Sequence, residues 1–544
     1  MCGKCLVRAS GALSAPDADE SGMITSGWRL ACHTVIEGDC HVTLGEERQA
    51  SIQQEGMLDE ISLAPQVASV KVPIQPDTME LRRTDEQRLR DALGMDAARL
   101  TSGALRGLPS IAGAGDGYAI LRGDEVLAVS ADGSMYGVAV DIGTTTVVAI
   151  LYDLKTGARL GSSGALNAQK PYGDDVISRA TYCIENPGGL SELQGVIIGQ
   201  LNRLIHGLCL EHGVNSDAIY SLVIAGNTVM QHLAAGLHPG TIAAVPFTYV
   251  SAFGVHMTAR ELGLSVCPDA LIYWPACASG YVGGDITAGV IAAGLHKSEK
   301  TCLYIDIGTN GEIAFGDSSG IQCCATAAGP AFEGAEIKYG MGGLTGAIDK
   351  VTYENGSLRC ETIGGAPAVG ICGSGLLDAV AVMLACGVLD ETGLLLDPED
   401  VEGEGSGFIV ECDGEKQFVL SGHVAVTAGD VRKLQLAKAA IAAGVQTMLA
   451  ETGKSVDDVE KLYIAGGFGS HIDKNSAAAI GLIPKELLDK TVTIGNAAGA
   501  GASLALLNED AKAEMAAVAT KMKYSELSGN PVFMDYYVEC MMFE

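Results

Sequence analysis

The chain has 544 residues, 48% of them hydrophobic and 19% charged, and carries a formal net charge of −31. A chain of this length exceeds a single hydrophobic core and divides into several domains, and the composition excludes a disordered protein. The negative field excludes nucleic acid and anionic membranes as partners, so a nucleotide would have to be held by backbone amides, glycine turns and Mg²⁺.

No segment has the build of a signal peptide, and the longest apolar runs are interrupted by Asp141, Asp378 or Lys438 before reaching a membrane-spanning length of about 18 residues. The 16 cysteines are mostly scattered singly in apolar segments, as at Cys183, Cys209, Cys302 and Cys386. Such thiols behave as small buried hydrophobes in a reducing compartment, which makes the cytoplasm the expected location.

Residues 1–45 are rich in glycine and β-branched residues and hold Cys2, Cys5, Cys32 and Cys40. Residues 46–134 read as a linker region. Within it, Thr84 and Gln87 have capping-box spacing before a short helix through Leu89 and Leu93. Tyr118–Leu121 and Val126–Val129 flank Arg122–Glu125 as a hairpin.

From Tyr136 onward the pattern alternates strands and helices. Ser191 and Gln194 have capping-box spacing ahead of Leu193, Val196, Ile197, Leu201, Leu204, Ile205 and Leu208, with Gly213 as the stop. A second long helix is expected from near Asp430 to Gly453, with Val431, Leu434, Ile441 and Val445 on one side.

An internal repeat organises this part of the chain. The strand Gly137–Val140 leads into Asp141-Ile-Gly-Thr-Thr-Thr146 and a second apolar strand; Leu303–Ile305 leads into Asp306-Ile-Gly-Thr-Asn-Gly-Glu312 in the same way. A second pair follows, Leu222-Val-Ile-Ala-Gly226-Asn-Thr and Leu462-Tyr-Ile-Ala-Gly466-Gly-Phe-Gly469. The order implies two copies of one α/β unit, over 135–297 and 298–544, closing a cleft between them.

Such turns bring backbone N–H groups together where glycine removes the Cβ. Gly143 with Thr144, Thr145 and Thr146, and Gly308, Thr309, Asn310, Gly311 and Glu312, are therefore candidates to wrap the phosphates of ATP. Asp141 and Asp306 would face each other and hold Mg²⁺ through water, as the catalytic carboxylates. Gly466, Gly467, Phe468 and Gly469 would admit the base or ribose against the backbone at a helix start.

These motifs resemble the acetate/sugar kinase–Hsp70–actin superfamily, which implies a duplicated actin-like (RNase H-like) α/β ATPase core. Further strings resemble the reductive activators of corrinoid proteins. They are Asn167–Arg179, Gly226-Asn-Thr-Val-Met230, Ala328-Gly-Pro-Ala-Phe-Glu-Gly-Ala335, Ile371-Cys-Gly-Ser-Gly-Leu376 and Gly495–Gly501. The resemblance implies ATP-dependent reduction of the Co(II) corrinoid of a methyltransferase system to Co(I). It also implies a middle domain, a C-terminal ATPase-like domain, an N-terminal [2Fe–2S] ferredoxin-like segment, a corrinoid-protein partner and an upstream electron donor, and it admits a homodimer.

Plant-type clusters use C-x4-C-x2-C and a distant fourth cysteine. Cys2 and Cys5 supply the C-x2-C pair and Cys32 resembles the distant ligand, so 1–45 reads as a partial ferredoxin-like domain with an incomplete ligand set in this chain. A start upstream of Met1 and a degenerated module both remain open, as does a poorly spaced zinc site from Cys2, Cys5, Cys32 and Cys40. A small-molecule kinase of the same superfamily and an ATP-gated non-redox binding module are the competing functions. Activators of 2-hydroxyacyl-CoA dehydratases also couple such an ATPase to electron transfer, but they are short and share a [4Fe–4S] cluster. Cys540 is the only cysteine near the end, which argues against C-terminal clusters. His232, His423 and His471 are expected to pack or hydrogen-bond, with no part in catalysis.

Overall fold

The computed structural model describes residues 6–16, 28–31, 33–44, 62–75, 78–79, 82–354, 356–402, 404–412, 414–467 and 472–543. The N-terminal part is a three-stranded antiparallel sheet in the order Trp28–Leu30, Leu6–Leu13, Ile36–Leu44.

The region that reads as a linker contains a folded unit. Strands Ala68–Pro73, Asp116–Arg122, Glu125–Ser130 and Arg99–Leu100 form one sheet, and helices Asp85–Leu93 and Ser102–Ala114 pack on it. Val72, Ile74, Leu89, Leu108, Ile111 and Val126 give it a small core of its own. The sparse apolar residues before position 66 hid this unit, whose core residues come from alternate strand positions and one helix face each. The Thr84–Gln87 capping box and the hairpin both form, the latter around Gly123 at φ 58°. This unit is anchored to the rest of the chain by Arg122 Nη1, which donates to the Asp269 carbonyl at 3.1 Å.

The repeat in the sequence becomes two sheets of matching topology. The first runs Arg159–Leu166, Thr146–Asp153, Tyr136–Ile142, Ile219–Gly226, Leu271–Trp274, Val255–Thr258. The second runs Thr491–Gly495, Lys461–Ala465, Cys302–Ile307, Gly311–Asp317, Gly320–Thr326, Met522–Tyr524. In each, three strands meander antiparallel, and the first of them pairs parallel with the fourth, which pairs parallel with the fifth. The register repeats too: Asp141 lies beside Ala225, and Asp306 beside Ala465. Only the sixth strands differ, being added at non-equivalent edges.

The two copies are not separate bodies. Residues of the second sheet alternate between two cores, with Leu303, Ile305 and Ile307 on one side and Cys302 and Tyr304 on the other. The latter core is continuous with the first lobe and takes in Ala497, Leu506, Met515 and Met522 from the end of the chain. Helix Ala497–Leu507 packs on helix Gly284–Ala292, the element in the corresponding place of the first copy.

The helix beginning near residue 190 starts at Gly189, with Gly188 as a cap that offers no side chain, so Ser191 is a first-turn residue and not the expected cap. The turn Asn186-Pro187-Gly188 fixes the start instead. The helix Ala428–Thr452 is closed by a capping box between Thr427 and Asp430 and ends at Gly453, φ 64°. Among the described residues no helix is long and apolar enough to cross a membrane.

At the crossing of the two paired helices, a Cβ on Gly501 would lie 2.1 Å from the Ala288 carbonyl oxygen. Backbone cannot yield there as a side chain could. Gly501→Ala should therefore cost about 1–3 kcal/mol through overpacking, read as a lower thermal midpoint; an unchanged midpoint would show that the helices separate freely.

Candidate functional site

Matching topology brings the strand ends of both copies to one cleft of about 900 Å³. Its lining includes Asp141, Gly143, Thr144, Thr145, Thr146, Asp306, Gly308, Thr309, Asn310 and Glu312, with Gly466 and Gly467 beside them. Phe468, Gly469 and His471 lie outside the described residues. Gly311 is absent from the lining: a Cβ there would meet the Ile441 side chain at 2.6 Å and Thr326 Oγ1 at 2.7 Å, so its role is to admit the long helix.

Each turn is closed by its own backbone. Gly143 N donates to the Thr146 carbonyl and Gly308 N to the Asn310 carbonyl, both at 2.9 Å. The first turn is also held from behind. Asn167 Nδ2 donates to the Gly143 carbonyl at 2.8 Å, and Asn227 Nδ2 to Thr144 Oγ1 at 3.1 Å. Arg179, fully buried, donates to the Thr144 carbonyl at 2.7 Å and to the Gly173 carbonyl at 2.9 Å. The strings Asn167–Arg179 and Gly226–Met230 thus position the turn without lining its reactive side, apart from Lys170 and Asn227.

Gly466 answers a different constraint. With φ 94°, it lies where a Cβ would be 2.5 Å from the Ile307 carbonyl oxygen and 2.7 Å from Asp306 Oδ1. Only glycine lets this turn approach the Asp306 turn so closely.

Four carboxylates form the floor: Asp141, Asp285, Asp306 and Glu312. Burial and the neighbouring Asp306 charge push Asp141 up to about 7, against a hydrogen bond from Asn496. Burial, with Asp306 and Asp141, pushes Asp285 up to about 8. Burial raises Asp306 to about 6, opposed by the Tyr304 hydroxyl, which donates to it at 3.2 Å. Glu312 is raised well above the usual range by burial and by Asp285 and Asp306. Sequence reasoning missed Asp285; the available signal was its place opening the helix after the fifth strand, where the second copy has Asn496.

Glu333 was also missed. It joins the two turns, accepting from Thr145 Oγ1 at 2.5 Å and from Thr309 Oγ1 at 2.6 Å.

Concentrated, partly protonated carboxylates beside two N–H turns and several hydroxyls suit a cation and a polyanion bound together. Among the described residues no group of three or more His, Cys, Asp and Glu side chains is arranged to hold a metal ion.

Cys2, Cys5 and Cys32 lie outside the described residues. Cys40 sits half-buried on the strand Ile36–Leu44. Cys183, Cys209 and Cys302 are buried and Cys386 is half-buried, and burial pushes the Cys183 thiol up to about 11. His232 is buried, with Nδ1 2.6 Å from the Thr228 carbonyl, and His423 packs edge-on against Tyr339.

The duplicated sheets and shared cleft define an actin-like ATPase fold. The family described as "RACo middle region" matches residues 136–298, and "C-terminal domain of RACo the ASKHA domain" matches residues 300–544. The chain is 36% identical over 419 residues to the corrinoid activation enzyme RamQ of Eubacterium limosum, covering 75% of this chain and 70% of that protein. It is 24% identical over 437 residues to the Co(II) methylated amine-specific corrinoid protein reductase of Methanosarcina barkeri, covering 74% and 76%. A solved reductive activator for a corrinoid, iron–sulfur protein superposes with a TM-score of 0.80 at 35% identity, covering 100% of this chain and 92% of that one. The chain belongs to the family of reductive activators of corrinoid proteins.

A carboxyl that stays protonated in the fold but ionises on unfolding stabilises the fold at low pH, and that stability is lost as pH rises through the folded value. With Asp306, Asp141 and Asp285 raised to about 6, 7 and 8, ligand-free stability should fall between roughly pH 4 and pH 8. Asp285→Asn should flatten this decline in thermal melts; a wild-type midpoint that rises over that interval contradicts the assignment.

Proposed function

We propose that the chain uses ATP bound between its two lobes to drive a corrinoid protein of a methyltransferase system from Co(II) to Co(I). The reductive-activator family supplies the reaction, and the observation that carries the ATP reading is the convergence of two matching Asp-Ile-Gly-Thr turns on one cleft. The kinase and non-redox readings have no observation in their favour.

In this reading the amides and hydroxyls of Gly143–Thr146 and Gly308–Asn310 hold the phosphates from opposite lobes. Gly466 and Gly467 receive the adenosine end. Asp141 and Asp306 orient the water shell of Mg²⁺, which would neutralise phosphate charge. Asp285 and Glu312 complete the acidic floor beneath them.

Cys2, Cys5 and Cys32 would contribute ligands to an iron–sulfur cluster, a one-electron carrier of about −400 mV if plant-type. The Co(II)/Co(I) couple lies lower, so the transfer is uphill. ATP can offset that gap only if the nucleotide-bound protein distinguishes the two corrinoid states in affinity. A ligand bridging two lobes is a means of doing so, because it biases their closure. An upstream electron donor and a cytoplasmic location belong to the same reading, and a homodimer is compatible with it.

The test mixes the purified chain with a Co(II) corrinoid protein and a chemical reductant and follows the cobalt absorbance. ATP should accelerate Co(I) formation, and Asp141→Asn or Asp306→Asn should lower the ATP-dependent rate by about 10²-fold or more. A wild-type rate indifferent to ATP would overturn the proposal.

A further inference from the structure

Glu333 holds an unusual place in the cleft. Its two carboxylate oxygens accept from one hydroxyl of each phosphate turn, Thr145 at 2.5 Å and Thr309 at 2.6 Å. Those hydroxyls are themselves 3.5 Å apart, so the carboxylate spans a point where the turns of the two copies meet across the cleft. The side chain is carried on the short turn Pro330–Glu333, whose Phe332 is buried in the core of the second lobe at 1% exposure. The next residue, Gly334, has φ 72°, and a Cβ there would lie 2.3 Å from the Met341 carbonyl oxygen. The placement is thus fixed from both sides.

A carboxylate with two oxygens and a negative charge has the same acceptor chemistry as a phosphoryl group. Each threonine hydroxyl has one proton to donate. A phosphate oxygen and Glu333 cannot both accept it. Charge works in the same direction, since Glu333 adds to a floor already carrying Asp141, Asp285, Asp306 and Glu312.

The geometry points to Glu333 as a built-in competitor for the ATP phosphates, a positioning residue that ties the two turns together until nucleotide displaces it. This rests on the ATP reading of the cleft. It assigns Glu333 a role opposite to that of a phosphate ligand: the residue holds affinity down, and its displacement marks the difference between the empty and the filled cleft.

Affinity of the full-length chain for a non-hydrolysable ATP analogue and for AMP, measured by titration calorimetry with Mg²⁺, separates the outcomes. Glu333→Gln keeps the shape, loses the charge and can accept through only one of its two end atoms. It should bind the ATP analogue about tenfold tighter, as expected for releasing one hydrogen bond to an ionised acceptor, with AMP affinity unchanged. Glu333→Asp, which keeps the charge, should return toward the wild-type value. Thermal melts identify loss of fold, and Glu333→Ala, which removes both acceptor oxygens and should likewise bind the ATP analogue more tightly, retains the comparison if the Gln variant melts early. Equal or weaker binding of the ATP analogue by folded Glu333→Gln overturns the competitor role. A wild-type chain that binds no ATP analogue overturns the site reading, and the competitor role with it.

Discussion

Four acidic side chains share one floor between two sheets, and no described Lys or Arg forms an ion pair with them. Their mutual repulsion and burial raise the pH at which they ionise. In the proposed function they are relieved by a hydrated dication with polyphosphate. This constraint explains why the elements around it are so restricted. Strands end in turns closed by their own backbone, the helices behind must cross at glycine and alanine, and Gly466 must carry no side chain. The floor is destabilising by itself, as is common where titratable groups are gathered in a functional cleft.

Symmetry decides how that floor is assembled. Equivalent registers place Asp141 and Asp306 at equivalent strand ends, while the two helices that follow the fifth strands contribute Asp285 from one copy and Asn496 from the other. The duplicated fold thus gives a cleft that is symmetric in backbone and asymmetric in chemistry. Arg179 lies behind only the first turn, and Gly466 and Gly467 lie only beside the second. A nucleotide, with phosphates at one end and a base at the other, matches such asymmetry.

Much of this was legible in the sequence because it is local. The repeated Asp-Ile-Gly-Thr turns, the box at Thr84 and the stops at Gly213 and Gly453 all act within a few residues of themselves. The family likeness followed from strings such as Asn167–Arg179. What escaped was set by tertiary contact. Glu333 matters because the first lobe brings Thr145 to it, 188 residues away. Asp285 matters because three other acids surround it. Gly311 sits inside a motif yet serves a helix more than a hundred residues downstream. Ser191 lost its cap to the Pro187-Gly188 turn, and the unit after position 66 was obscured by the polar stretch before it.

Coupling between nucleotide and corrinoid is the central claim, and it is a statement about affinities. Linkage requires that ATP change the affinity for a Co(II) corrinoid protein by the same factor as that protein changes the affinity for ATP. The most direct measurement is the Kd of a non-hydrolysable ATP analogue with and without saturating Co(II) corrinoid protein, paired with the reverse titration. Both should shift, and by an equal factor. An ATP affinity that is identical with and without the corrinoid protein would contradict it.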